Sequence, residues 1–179
     1  MAGRKQKSQA GRLRIVAGNW RSRLLDIADV EGLRPTSERI RETLFNWLAP
    51  RIHGARCLDA YAGTGALGLE ALSRGAGSVV FVEKSPVAAR QLRRNIDVLD
   101  ARGATVLQQA ALDYLRDTAT GPFDLVFLDP PFAADVVEET CRLLEQHDLL
   151  AADALVYIEL PKIGVGAQLP SGWQVQKNK

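Results

Sequence analysis

At 179 residues the chain suits one domain with a sizeable core and is too short for two of full size. Its 46% hydrophobic and 25% charged residues are ordinary for a globular protein in water. No apolar run approaches the ~18–20 residues of a membrane span, and the basic N-terminus lacks the apolar stretch of a signal peptide, so a cytoplasmic protein is expected. The net charge of +2 is unevenly divided: residues 1–23 hold Arg4, Lys5, Lys7, Arg12, Arg14, Arg21 and Arg23 and no acid, a charge of +7 that leaves −5 on the remainder. A basic arm on a mildly acidic body points to a polyanionic partner, nucleic acid first. A solvated tail is the plainer alternative, but Leu13, Ile15, Val16 and Trp20 are interleaved with the charges. Cys57 and Cys141 have no metal or redox spacing, and His53 and His147 stand in no ligand motif, so buried free thiols and no metal are expected.

Residues 1–11 are polar, basic and expected to be disordered. Leu13 to Ala17 and Arg23 to Ile27 read as short strands around the turn-forming pair Gly18-Asn19, a small β-hairpin ahead of the main fold. Leu33 to Ser37 leads into a helix that Thr36 or Ser37 can cap, with Ile40, Leu44, Trp47 and Leu48 on one face and Pro50 at its end. Arg34, Arg39 and Arg41 crowd the start of that helix, where positive charge opposes the helix dipole. They are candidates to hold a carboxylate or phosphate, with surface charge as the alternative.

Arg56 to Ala60 reads as a strand, followed by Tyr61-Ala62-Gly63-Thr64-Gly65-Ala66-Leu67-Gly68 and a helix to about Arg74. Gly63, Gly65 and Gly68 satisfy G-x-G-x-x-G between strand and helix, the setting in which the pattern signifies a nucleoside-binding turn. The next strand, Ser78 to Val82, ends at Glu83, placed to accept hydrogen bonds from ribose hydroxyls. Ser85-Pro86 opens a helix to Leu99, and Ala104 to Gln109 is a third strand of the sheet. Asp113 to Thr118 is a short helix, Asp135 caps another that runs to His147, Ala154 to Leu160 is a fifth strand and Trp173 to Gln176 starts a sixth. Strands and helices alternate, which predicts an α/β fold: a doubly wound, mostly parallel sheet with helices on both faces, Rossmann-like, plus the hairpin.

Between the short helix and its successor lies Phe123-Asp-Leu-Val-Phe-Leu-Asp-Pro-Pro-Phe132. Its first six residues have the length and apolar content of a strand buried on both faces. Pro130 and Pro131 lack an N–H and fix φ, so the strand ends in a rigid elbow with Asp129 before it and Phe132 after it. That arrangement suits methylation of a planar exocyclic amine: Asp129 and the Pro130 carbonyl accept from its N–H groups, and Phe132 stacks on the base. A stiff turn after a core strand is the plainer alternative. The glycine turn alone admits a nicotinamide dinucleotide or S-adenosylmethionine; hydride transfer has no use for the elbow, methyl transfer does.

The chain resembles the bacterial 16S ribosomal RNA guanine-N2-methyltransferases of the RsmD type. The resemblance is carried by Arg34-Pro35-Thr36 through Arg39-Ile-Arg-Glu-Thr-Leu-Phe-Asn-Trp-Leu48, by Leu58-Asp-Ala-Tyr-Ala-Gly-Thr-Gly-Ala-Leu-Gly-Leu-Glu-Ala71, and by Asp129-Pro-Pro-Phe132. It implies a class I fold using S-adenosyl-L-methionine, with a substrate guanine at position 966 in the family's 16S numbering, in RNA or a small-subunit assembly intermediate. Carried over by motif, Asp59, Tyr61, Gly63 and Gly65 line the methionine and sugar side of the cofactor, Glu83 takes the ribose, and Lys84, Ser85, Ala111 and Leu112 surround the adenine. Asp129 and Pro130 hold the amine and Phe132 the base, while Arg12, Arg14, Arg21, Arg23, Arg34 and Arg39 contact RNA. Residues 12–32 then form the hairpin extension and 33–179 the methyltransferase domain, expected to be monomeric. Two departures stand out: Ala110 falls where many relatives have Asp or Asn, and the further strand that relatives carry is expected to be lacking here. An adenine-N6 DNA methyltransferase is the nearest rival, then a non-catalytic nucleoside- or RNA-binding protein, with a dehydrogenase last.

Overall fold

The computed structural model describes residues 11–117, 120–131, 134–160 and 167–178. The hairpin pairs β1 (Arg12–Arg14) antiparallel with β2 (Leu24–Asp26), in the register Leu13 to Leu25. Its strands are shorter than expected, and Gly18-Asn19 is not a tight hairpin turn. Gly18 has a φ of +84°, and a Cβ there would stand 1.9 Å from the Ser73 carbonyl oxygen. Asn19 N–H donates to that carbonyl at 2.7 Å, so the long connection, closed by Ser22 N–H to the Ile15 carbonyl at 2.8 Å, is also seated on another helix. Leu13, Ile15, Leu25 and Ile27 are buried in the main core, so the hairpin is part of it.

Helix α1 (Glu38–Ile52) is capped by Ser37, whose Oγ accepts from Ile40 N–H. It runs through Pro50, although that residue has no N–H to continue the ladder. The last turn survives because Ile52 is buried in the core and Pro50 lies on the exposed side. The buried face is Arg41, Leu44, Phe45, Leu48 and Ile52; Ile40, expected inside, is 38% exposed.

Strand β3 (Arg56–Asp59), helix α2 (Ala66–Ser73), strand β4 (Ser78–Val82), helix α3 (Pro86–Leu99) and strand β5 (Ala104–Leu107) follow. Helix α4 (Ala111–Asp117), strand β6 (Phe123–Leu128), helix α5 (Ala134–Gln146) and strand β7 (Leu150–Ile158) complete the order. The sheet is parallel throughout, in the order β5-β4-β3-β6-β7. Its order turns back at β3, and neighbouring connections from β3 and β6 leave toward opposite faces, the place where open α/β sheets bind ligands. One face carries the hairpin, α1, α2 and α3 over Cys57, Val79, Phe81, Leu125 and Phe127; the other carries α4 and α5 over Leu58, Val82, Val126 and Leu128. Both cysteines are buried free thiols whose pKa burial pushes up to about 12.

Further sequence expectations need correction, among them the fifth strand, which runs from Leu150 to Ile158 and not from Ala154 to Leu160. Helix α4 starts at Ala111, not Asp113, and α5 starts at Ala134, so Asp135 lies in its first turn and is not its cap. Residues 173–178 form no strand. The Trp173 indole donates to Glu145 on α5, and its backbone N–H closes a turn on Pro170. Those bonds hold the segment against the helix.

Candidate active site

Alternation along the strands decides which side chains meet. Cys57, Phe81, Phe127 and Tyr157 point to the face covered by the hairpin and α1–α3. Counting by twos places Asp59, Glu83, Asp129 and Glu159 on the same face, at the carboxyl ends of β3, β4, β6 and β7.

The glycine turn is built as its pattern predicts. Gly63 (φ +53°) and Gly65 (φ +78°) are left-handed, and a Cβ on Gly65 would stand 2.4 Å from Leu92. Gly68 is needed for packing, since a Cβ there would stand 2.2 Å from the Phe81 ring. The Gly68 N–H donates to Asp59 Oδ2 at 3.0 Å, so the carboxylate at the end of β3 takes an orphan donor in the first turn of α2. Glu83 accepts from Gly63 N–H and Ser85 N–H, each at 2.7 Å. Its carboxylate is thereby pinned beside the turn, with lone pairs left over for a diol.

Asp59 is 2% exposed. Burial pushes its pKa up to about 7; the Gly68 hydrogen bond opposes this, while the charges of Asp129 and Glu83 add to it. Asp129 is raised to about 6 by burial and then by the charge of Glu159, against a hydrogen bond from Thr36. Asp59, Glu83, Asp129 and Glu159 thus gather at one sheet edge, and among the described residues no cationic side chain offsets the shift of Asp59 or Asp129. Such a site repels the pyrophosphate of a dinucleotide and suits a ligand carrying positive charge.

A loop folds over this edge. Leu33 rests on Gly63, where a Cβ would meet its methyl at 3.0 Å, and Thr36 Oγ1 donates to Asp129 Oδ2 in a long bond of 3.5 Å. That loop is anchored by a network around Glu70, which is wholly buried. Arg41 donates from Nη1 to Glu70 Oε2 at 3.0 Å, from Nε to the Thr36 carbonyl at 3.0 Å and from Nη2 to the Arg14 carbonyl at 2.8 Å. Glu70 also accepts from Val16 N–H, Ala17 N–H and Arg74 Nε. Arg41 therefore does hold a carboxylate, an internal one. The signal in the sequence was Glu70 itself, an acid within an otherwise apolar helix.

Past β4, Ser85 caps α3 and Lys84 is exposed beside it, while Ala111 and Leu112 open α4 beyond β5. The Tyr61 hydroxyl bonds Thr140 on α5 at 2.6 Å, so its side chain serves the opposite face. Pro130 follows Asp129 at the elbow, and Phe132 lies outside the described residues. Arg12 and Arg14 face Asp26 and Glu38 at 3.7 and 3.5 Å, and Arg23 bonds the Val98 carbonyl. Arg21, Arg34 and Arg39 are exposed. Thr36, Tyr157 and Glu159 were missed as site residues. Glu159 had a faint signal, an acid closing an apolar strand as Asp129 does. Among the described residues, no group of three or more His, Cys, Asp or Glu could hold a metal ion, and no helix is long and apolar enough to cross a membrane.

This sheet order, with a glycine turn after β3, an acid after β4 pinned to that turn and an Asp-Pro-Pro elbow after β6, defines a Rossmann-like fold of the methyltransferase class. The chain belongs to the family described as Conserved hypothetical protein 95, whose model matches residues 13–179. It is 45% identical over 172 residues to Ribosomal RNA small subunit methyltransferase D of Escherichia coli K12, covering 96% of this chain and 86% of that one. The Haemophilus influenzae protein of the same name is also 45% identical, over 94% of this chain and 89% of its own. The solved structure of Escherichia coli yhhF superposes with a TM-score of 0.84 at 41% identity, covering 94% of this chain and 92% of that one. The relatives' name is that of the family the motifs resemble.

Proposed function

We propose that this protein methylates ribosomal RNA of the small subunit, transferring a methyl group from S-adenosyl-L-methionine to the exocyclic N2 amine of a guanine. The observation that carries the reading is the placement of the Asp129-Pro130 elbow next to the glycine turn, across adjacent strands β6 and β3, on one sheet face. When bound, the cofactor supplies a methyl group on a positively charged sulfur, and an ammonium group besides. The acidic sheet edge fits both charges, and Asp59 and Glu83 are the residues that would hold its amine and ribose ends. Lys84, Ser85, Ala111 and Leu112 would flank the adenine.

Asp129 and the Pro130 carbonyl accept from the two amine hydrogens and draw the nitrogen toward a tetrahedral, nucleophilic form. As the nitrogen–carbon bond forms and the carbon–sulfur bond breaks, the sulfur keeps the electron pair. The positive charge on nitrogen is lost with a proton, which Asp129 is placed to accept. A stacked guanine cannot reach the elbow, so the base must be unpaired or flipped, with Phe132 stacking on it. The hairpin arginines and Arg34 and Arg39, on the loop and helix start that flank the site, would take the phosphates. The setting is the cytoplasm, where ribosomal RNA is assembled.

The test is single-turnover methylation of small-subunit RNA with saturating cofactor, the product read as N2-methylguanine. Asp129→Asn keeps the shape but replaces an acceptor with an amide, and should lower the rate by about 10²–10⁴. Because Asp129 must be ionised and stands near 6 in the ligand-free protein, the wild-type rate should fall as pH drops through about 6. An Asn variant of near-wild-type rate would return the elbow to a stiff turn.

A further inference from the structure

Two carboxylates stand side by side at the elbow. Leu128 pairs in register with Ile158 at the ends of parallel strands β6 and β7, and Glu159 N–H donates to the Leu128 carbonyl at 2.9 Å. Asp129 and Glu159 are the next residues of the two strands. They share a sheet face, one strand spacing of about 4.8 Å apart. Glu159 is half-buried, and the Tyr157 hydroxyl donates to its Oε2 at 3.1 Å, which fixes the carboxylate by one oxygen. Burial, then the neighbouring Glu159, accounts for the raised pKa of Asp129, so the two groups do feel each other. Among the described residues no cation bridges them. Like charges held together in this way are unfavourable until a ligand brings donors to both.

Resting on the reading of guanine N2 as the target, we infer that Glu159 is a specificity-determining residue: it accepts from guanine N1–H while Asp129 accepts from the adjoining amine. A carboxylate only accepts hydrogen bonds. Guanine presents two donors on neighbouring atoms, its N1–H and its amine, and matches two adjacent carboxylates. Adenine presents an amine beside a bare N1, whose lone pair would face Glu159. The pair therefore selects guanine N2 over adenine N6 although the elbow could hold either amine. Tyr157 acts through Glu159 as a positioning residue.

The deciding comparison uses two RNAs that differ only in the target purine, guanine or 2,6-diaminopurine. Diaminopurine keeps the 2-amine but has a bare N1. With saturating cofactor, wild-type enzyme should favour guanine by about 10²-fold or more in single-turnover kcat/KM, because an acceptor-only site rejects a base lacking the donor. Glu159→Gln can donate to a bare N1, so it should slow methylation of guanine roughly 10-fold to 100-fold and speed that of diaminopurine, narrowing the preference below about 10-fold. A merely structural role would slow both RNAs alike. Tyr157→Phe, which keeps the charge, should narrow the preference by a few-fold at unchanged cofactor affinity. Equal wild-type rates on the two RNAs would overturn the inference whether or not any variant folds, and so would a Gln variant that keeps the wild-type ratio. A wild-type enzyme that leaves guanine N2 untouched would overturn the parent reading and this one together; normal methylation of guanine with an unchanged ratio would overturn this one alone.

Discussion

Replacing Arg41 with Met keeps most of the side chain's length and removes its charge. Arg41 is 1% exposed and uses its guanidinium on three acceptors: Glu70, the Thr36 carbonyl and the Arg14 carbonyl. The variant leaves Glu70 wholly buried with Arg74 and two backbone N–H groups, and strips both carbonyls of this donor. Breaking a buried ion pair from one side costs about 3–5 kcal/mol, and the surviving Arg74 bond argues for the lower end, near 3 kcal/mol. At roughly 2–4 °C per kcal/mol for a domain of this size, Tm should fall by about 6–12 °C. Urea titration with an unchanged slope would show that stability, not compactness, has moved. Arg41→Lys should rescue little, since one ammonium cannot reproduce a planar fork aimed at three oxygens. Thr36 loses its anchor too, so methylation should fall by more than the folded fraction explains. A variant within about 0.5 kcal/mol of wild type would refute the reasoning, showing that the hairpin and loop are held by apolar packing alone.

Three further outcomes are expected. Asp59, raised to about 7 from an ordinary 3.8, keeps its proton in the folded state at pH values where the unfolded chain has lost it. Stability of the ligand-free protein should therefore fall as pH rises from about 4 to 7, and Asp59→Asn should flatten that fall in a Tm series; an unchanged profile would mean that the group titrates normally. Gly68→Ala forces a methyl to within 2.2 Å of Phe81 in a packed core, and a loss of about 1–3 kcal/mol is expected by chemical denaturation. Neutralising Arg21, Arg34 and Arg39 should weaken RNA binding at constant cofactor affinity and reduce the slope of log affinity against log salt by about 0.7 for each phosphate no longer neutralised; an unchanged slope would make these side chains bystanders.

The glycine turn, the elbow and the alternation of strands and helices were determined by the sequence alone, because each rests on constraints between near neighbours. The Pro130-Pro131 pair gives the sheet no donor after β6, left-handed turns take glycine, and a run such as Phe123–Leu128 buries on both faces. Ser85 capping α3 belongs with these. What only the tertiary structure decided depends on groups far apart in the chain. Helix α1 passes through Pro50 because burial of Ile52 outweighs one missing hydrogen bond, which no helical propensity expresses. Arg41 reads as a residue for a carboxylate, a phosphate or the surface alike until Glu70, 29 residues away, is brought against it. Trp173 has the composition of a strand residue, yet its indole finds Glu145, and the segment follows that bond instead of pairing. The pairing of Asp129 with Glu159 exists only through the register of β6 and β7. A local pattern limits the conformations a segment can take; which charged groups share a sheet edge is set by the strand order, a sum of long-range interactions that no single stretch encodes.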